Sequence, residues 1–153
     1  HMTLYGKEEN WDSPIFKPFW DVLSDLNVPL FITPGYNSLQ GTSDLIGNLG
    51  NELIRIGKWM KKYPSVKVVW THGLAWRLFI KGHEMEIPEL IYKSMPTDNS
   101  NFYLQLLFPV LLGNIWDYPM KQVLPTLKEL NNRIGSDRLI WGTDIPMVMR
   151  FYR

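Results

Sequence analysis

The sequence predicts an α/β fold built on a mostly parallel sheet, and three observations carry that prediction. Short apolar, β-branched runs begin at Val28, Val66, Phe102 and Arg138, spaced 38, 36 and 36 residues apart. A near-constant spacing of that size suits strand–loop–helix units, because a parallel crossover alone needs a dozen or more residues. Segments of helical period fill the intervals. The runs themselves are nearly continuous in apolar residues, as in strands covered on both faces. An open doubly wound sheet and a segment of a barrel share all three features, and periodicity does not separate them.

Taken in order, Ser13-Pro14 offers an N-cap with proline at the first helical position, and Phe16, Phe19, Trp20, Leu23 and Leu26 are expected on one helix face ending at Asn27. Val28-Pro29-Leu30-Phe31-Ile32 is the first strand, and Pro34 to Ser43 reads as a long polar loop of the kind that often carries function. Ile46, Leu49, Leu53, Ile56 and Met60 keep a 3–4 rhythm until Pro64. Val66 to Trp70 is the second strand, followed by two short helices around 75–81 and 88–95. Phe102 to Phe108 is the third strand. Val123, Leu127, Leu130 and Ile134 form the last stripe, with Gly135 as C-cap, before the strand Arg138 to Trp141.

Composition narrows the function classes. The 153 residues can bury a real core, and 45% of them are hydrophobic with 14% aromatic. Sixteen Lys and Arg against fifteen Asp and Glu give no electrostatic reason to expect nucleic acid or an anionic membrane. With no cysteine, disulfides, thiolate metal sites and cysteine nucleophiles are excluded, and a cytoplasmic location is expected. No apolar run reaches the roughly 20 residues that span a bilayer. His1-Met2 reads as an affinity-tag remnant, leaving 3–153 as one domain.

In α/β proteins the ligand site lies beyond the C-terminal ends of the strands. Those ends carry Thr33-Pro34-Gly35, Thr71-His72-Gly73 and Gly142-Thr143-Asp144-Ile145-Pro146, with Gln105 inside the third strand. His72 and Asp144 at corresponding ends converge on one mouth, and both residue types bind metals or carry protons. Singly, each has a plainer use: a histidine there can hydrogen-bond a loop carbonyl, and Asp144 can cap a turn. Thr33, Trp76, Arg77 and Gln105 are the candidate substrate contacts, since a guanidinium pairs with a carboxylate bidentately. Arg77 on its own more commonly packs its stem and solvates its head. Other motifs fail on spacing. His83-Glu84 is followed by Ile87 where a zincin needs histidine, and Gly47, Gly50 and Gly57 match no phosphate loop. There is no Gly-x-Ser-x-Gly elbow.

Two of these segments resemble a known family. Pro64-Ser65-Val66-Lys67-Val68-Val69-Trp70-Thr71-His72-Gly73 resembles the sixth barrel strand of the amidohydrolase superfamily, in the branch that contains aminocarboxymuconate-semialdehyde decarboxylase. Gly135-Ser136-Asp137-Arg138-Leu139-Ile140-Trp141-Gly142-Thr143-Asp144-Ile145-Pro146 resembles the eighth. Val28 to Ile32 and Asn101-Phe102-Tyr103 then take the places of strands five and seven. The resemblance covers nearly the whole chain and implies the C-terminal half, strands five to eight, of a TIM-type (β/α)8 barrel. It further implies a divalent metal, zinc or alternatively manganese, with His72 and Asp144 as ligands or acid/base groups. The implied chemistry is hydrolysis or decarboxylation of a small carboxylated or lactone-like substrate.

Two departures accompany the resemblance. Thr33 stands where the family commonly has a fifth-strand histidine, and no His-x-His pair occurs anywhere. A full barrel typically needs about 250 residues. The expectation is therefore a partial barrel, inactive alone, whose unpaired edges favour a homo-oligomer or pairing with an N-terminal half. The alternative expectation is a non-catalytic α/β module for assembly or ligand binding.

Overall fold

The computed structural model describes residues 2–4, 11–34 and 44–150. Its centre is a five-stranded parallel sheet, β1 (Met2–Leu4), β2 (Leu30–Pro34), β3 (Val68–Trp70), β6 (Phe102–Leu106) and β7 (Leu139–Trp141), in that order. Four of the strands are those the sequence predicts, shortened at their ends. The fifth, β1, is a strand the sequence did not suggest, in which Met2 pairs with Ile32. The third run was also too long, because the chain turns helical at Phe108, where α4 (Phe108–Leu112) begins. The small sheet of β4 (Ile80–Lys81) and β5 (Glu84–Met85) is an antiparallel hairpin. It occupies part of the interval where a helix was expected, and Gly82 at φ +62° makes its turn.

Helices fill the crossovers. α1 (Lys17–Asp25) precedes β2 and ends where Asn27 takes φ 50°. Its predicted single apolar face is corrected, since Trp20 is buried while Phe19 and Leu26 are 54% and 68% exposed. α2 (Leu45–Lys62) follows the expected stripe, with Leu49, Leu53, Ile56 and Met60 fully buried. Its N-cap is Asp44, whose side chain accepts the Gly47 N–H at 2.7 Å. α3 (Glu89–Ser94) and α5 (Leu124–Ile134) match the remaining helical segments, and Gly135 ends α5 at φ +95°. Of the 75–81 segment, Trp76–Phe79 forms one 3-10 turn. The predicted loop falls outside the described residues from 35 to 43. Among the described residues no helix is long and apolar enough to cross a membrane.

Register lines up the two faces of the sheet. Leu30, Val68 and Phe102 stand abreast, as do Ile32, Trp70, Leu104 and Leu139. These residues join α2, α3 and α5 in the core, and the six from β2, β3 and β6 are buried. The opposite face carries Phe31, Val69 and Tyr103 in one row and Gln105 beside Ile140 in another. There Phe31 is 41% exposed and Tyr103, Gln105 and Ile140 are half-buried. Strand order follows chain order without reversal. Right-handed crossovers between such neighbours lay successive helices on one side of the sheet, so the second face is the less covered one.

Candidate active site

Parallel pairing brings the C-terminal ends of β2, β3, β6 and β7 to one edge. His72 leaves β3 at φ 60°, and Asp144 follows β7 at φ 51°. Neither is glycine, and a left-handed backbone is uncommon for any residue with a Cβ, although aspartate tolerates it better than most. β6 lies between the two strands and supplies the residue that links their loops. The Gln105 side-chain oxygen accepts the His72 backbone N–H at 2.8 Å. Its amide nitrogen lies 2.8 Å from where a Cβ on Gly142 would sit, so a larger residue there would push the Gln105 side chain aside.

The His72 turn is fixed from below as well. The Thr71 hydroxyl donates to the Ile32 carbonyl at 2.8 Å and stands 2.8 Å from the Thr33 hydroxyl. The Trp70 indole N–H donates to the Gly73 carbonyl at 3.0 Å. Gly73, at φ +68°, has no room for a methyl group: it would overlap the Trp76 ring and approach the Gln105 carbonyl to 2.6 Å. The turn is thus held by two strands and by the ring beneath it. On the other loop, the Asp144 carbonyl accepts the Met147 N–H at 2.7 Å, and the Asp144 side chain is exposed.

Not every sequence candidate reaches this edge as a ligand contact. Thr33 and Gln105 do, on the less covered face. Trp76 is 1% exposed and packs against Phe108 at 4.7 Å between ring centroids, so it is part of the core. Arg77 is exposed, but its guanidinium donates to the Leu111 carbonyl at 2.7 Å and to the Asn114 side chain at 2.9 Å. It ties the segment after β3 to the end of α4. Thr71, which the sequence already places at this strand end, and Tyr103 stand on the same strand parity as Thr33 and Gln105.

A metal needs more donors than the described residues bring together. Among the described residues no three His, Cys, Asp or Glu side chains form a group that could hold an ion. His72 and Asp144 make two donors at most, and Thr33 is a neutral hydroxyl engaged with Thr71. The donor set does not fit a metal centre on its own. Two cavities are lined by described residues. One of about 680 Å³ sits between α2, α3 and the segment entering β6, at the N-terminal end of the sheet. Another, of about 390 Å³ and lined by Phe108, Met120 and Trp141 among others, reaches Thr143 beside Asp144.

Comparison with known families decides the wider assignment. The family model for amidohydrolases matches residues 1–152. The chain belongs to the amidohydrolase family. Its parallel α/β sheet accords with the TIM-barrel type of that family, whose members usually bind divalent metals. Neither the curated proteins nor the solved structures return a match. Within this amidohydrolase chain, His72 and Asp144 are the titratable pair that flanks β6 at the strand-end edge.

Proposed function

We propose that this amidohydrolase chain forms the strand-five-to-eight arc of a TIM-type barrel, and that its edge works in hydrolysis or decarboxylation of a small carboxylated or lactone-like substrate. The single observation that carries the reading is the placement of His72 and Asp144 after β3 and β7, both in left-handed backbone, on the same edge of an unreversed parallel sheet. Backbone strain of this kind costs about 1–3 kcal/mol per residue and clusters where side chains must be aimed. β2, β3, β6 and β7 take the places of strands five to eight, with β1 an added strand outside that set.

The chemistry assigned to this chain is what its own residues can do. The His72 imidazole and the Asp144 carboxylate are the groups that can pass a proton to or from a bound substrate. Gln105 positions the His72 turn, and the Thr33–Thr71–Ile32 hydrogen bonds hold the strand ends beneath it. Zinc or manganese would require donors beyond His72 and Asp144, so no step here is routed through an ion. Trp76 and Arg77 act by shaping the turn after β3 rather than by touching substrate.

The test is turnover on a panel of lactones and aromatic carboxylates by the completed barrel, this chain together with the remaining strands, comparing it with His72→Ala and Asp144→Asn. Loss of at least about 100-fold in kcat/KM in each variant is expected, in the range of general acid–base catalysis. Unchanged turnover in both would sink the assignment and leave the non-catalytic module as the reading.

A further inference from the structure

The hydrogen-bond donors at the strand-end edge are unevenly spent. Thr71 gives its hydroxyl proton to the Ile32 carbonyl, so the 2.8 Å hydrogen bond between Thr71 and Thr33 uses the Thr33 proton. The Gly142 N–H goes to the Leu106 carbonyl at 2.9 Å. Gln105 is different. The His72 N–H that it meets at 2.8 Å is a donor alone, which fixes the amide with its oxygen towards His72 and its NH2 towards β7. The hydrogens of that NH2 find no acceptor among the described residues.

Its surroundings are those of a substrate contact. Gln105 is half-buried on the less covered face of the sheet, the parity that lines the interior when such a sheet closes. β6 lies between β3 and β7, so the NH2 stands between the turn that carries His72 and the loop that carries Asp144. Gly142 keeps its side of the amide clear, because a Cβ there would come within 2.8 Å of Nε2.

We propose that the Gln105 NH2 is the donor that holds the acyl oxygen of the substrate, and that the substrate is a lactone opened by hydrolysis. The proposal rests on the His72–Asp144 reading of the edge and adds the group that meets the developing charge. Water adds to the acyl carbon, the carbonyl electron pair moves onto the acyl oxygen, and a water proton passes to His72 or Asp144. The pair then returns, the ring C–O bond breaks, and the ring oxygen takes the proton back. Lactone and water give the hydroxy acid with no further reactant. Because the acyl oxygen gains charge on the way, a fixed donor stabilises the transition state more than the bound lactone. In decarboxylation the carboxylate loses its charge as CO2 departs, so the same donor would hold the ground state more tightly and slow the reaction. That asymmetry favours hydrolysis of the two reactions.

Kinetics of the completed barrel on neutral lactones and on aromatic carboxylates test it. Gln105→Glu keeps an acceptor for the His72 N–H and removes the NH2. It is expected to lower kcat on lactones by about 100-fold or more, the range of a lost oxyanion donor. KM is expected to change less than about threefold, as for an interaction made in the transition state alone. Gly142→Ala displaces the amide and leaves Gln105 in place, and is expected to lower kcat at least about tenfold. It carries the test if circular dichroism shows Gln105→Glu unfolded. A raised KM with parental kcat would make Gln105 a ground-state contact and overturn the proposal. So would parental lactone turnover in the folded variant, or a parent barrel that turns over aromatic carboxylates and no lactone. In those cases, losses in His72→Ala and Asp144→Asn still keep the edge as the site. Unchanged turnover in those two variants removes the site and this proposal with it.

Discussion

At the scale of the residue, the site depends on a few positions where no other side chain fits. Gly73 combines a left-handed backbone with contact to the Trp76 ring and the Gln105 carbonyl, while Gly82 has a similar φ and nothing within 4 Å. The pair isolates packing from backbone strain. Gly82→Ala is expected to cost about 1 kcal/mol, the strain alone, and Gly73→Ala at least about 3 kcal/mol, since the buried ring must also move. Urea midpoints of the two variants check the difference. His72 and Asp144 could be placed on one edge from the sequence because strand ends follow from strand positions. Gln105's clamp on the His72 turn could not, because it depends on which strand lies between the two. The Thr33–Thr71 hydroxyl pair explains physically how a neutral residue is accommodated at that strand end.

At the scale of the element, α2 was legible and α1 only in part. Four of the five stripe positions on α2 are fully buried because they join the core shared with the strands. On α1 two interleaved apolar rows compete, and periodicity alone did not say which would be covered. The β4–β5 hairpin was hidden by its two-residue strands, too short for any period to register. α3 carries a testable electrostatic consequence. Burial pushes the Tyr92 hydroxyl up to about 12, with the Glu129 carboxylate adding to the rise and Arg133, stacked on the ring at 4.1 Å, opposing it. The folded chain then keeps a proton that the unfolded chain, titrating at about 10, has lost. Stability is full below pH of about 10 and falls as pH rises towards about 12, by linkage. Alkaline unfolding curves of Tyr92→Phe are expected to lack that part of the decline.

At the scale of the whole molecule, the unreversed strand order is what the sequence left open between a barrel segment and a doubly wound sheet. In a doubly wound sheet a reversal of order would mark the ligand crevice. Here none occurs among the described strands, and the less covered face and the C-terminal edge carry the polar residues instead.

The central claim is that His72 and Asp144 belong to one site. The most direct measurement is a double-mutant cycle on kcat/KM for whichever panel substrate turns over, using His72→Ala, Asp144→Asn and the two combined. The account predicts strong non-additivity, with the double variant losing little more than the worse single one. Losses that add in free energy, as for two independent residues, would contradict it.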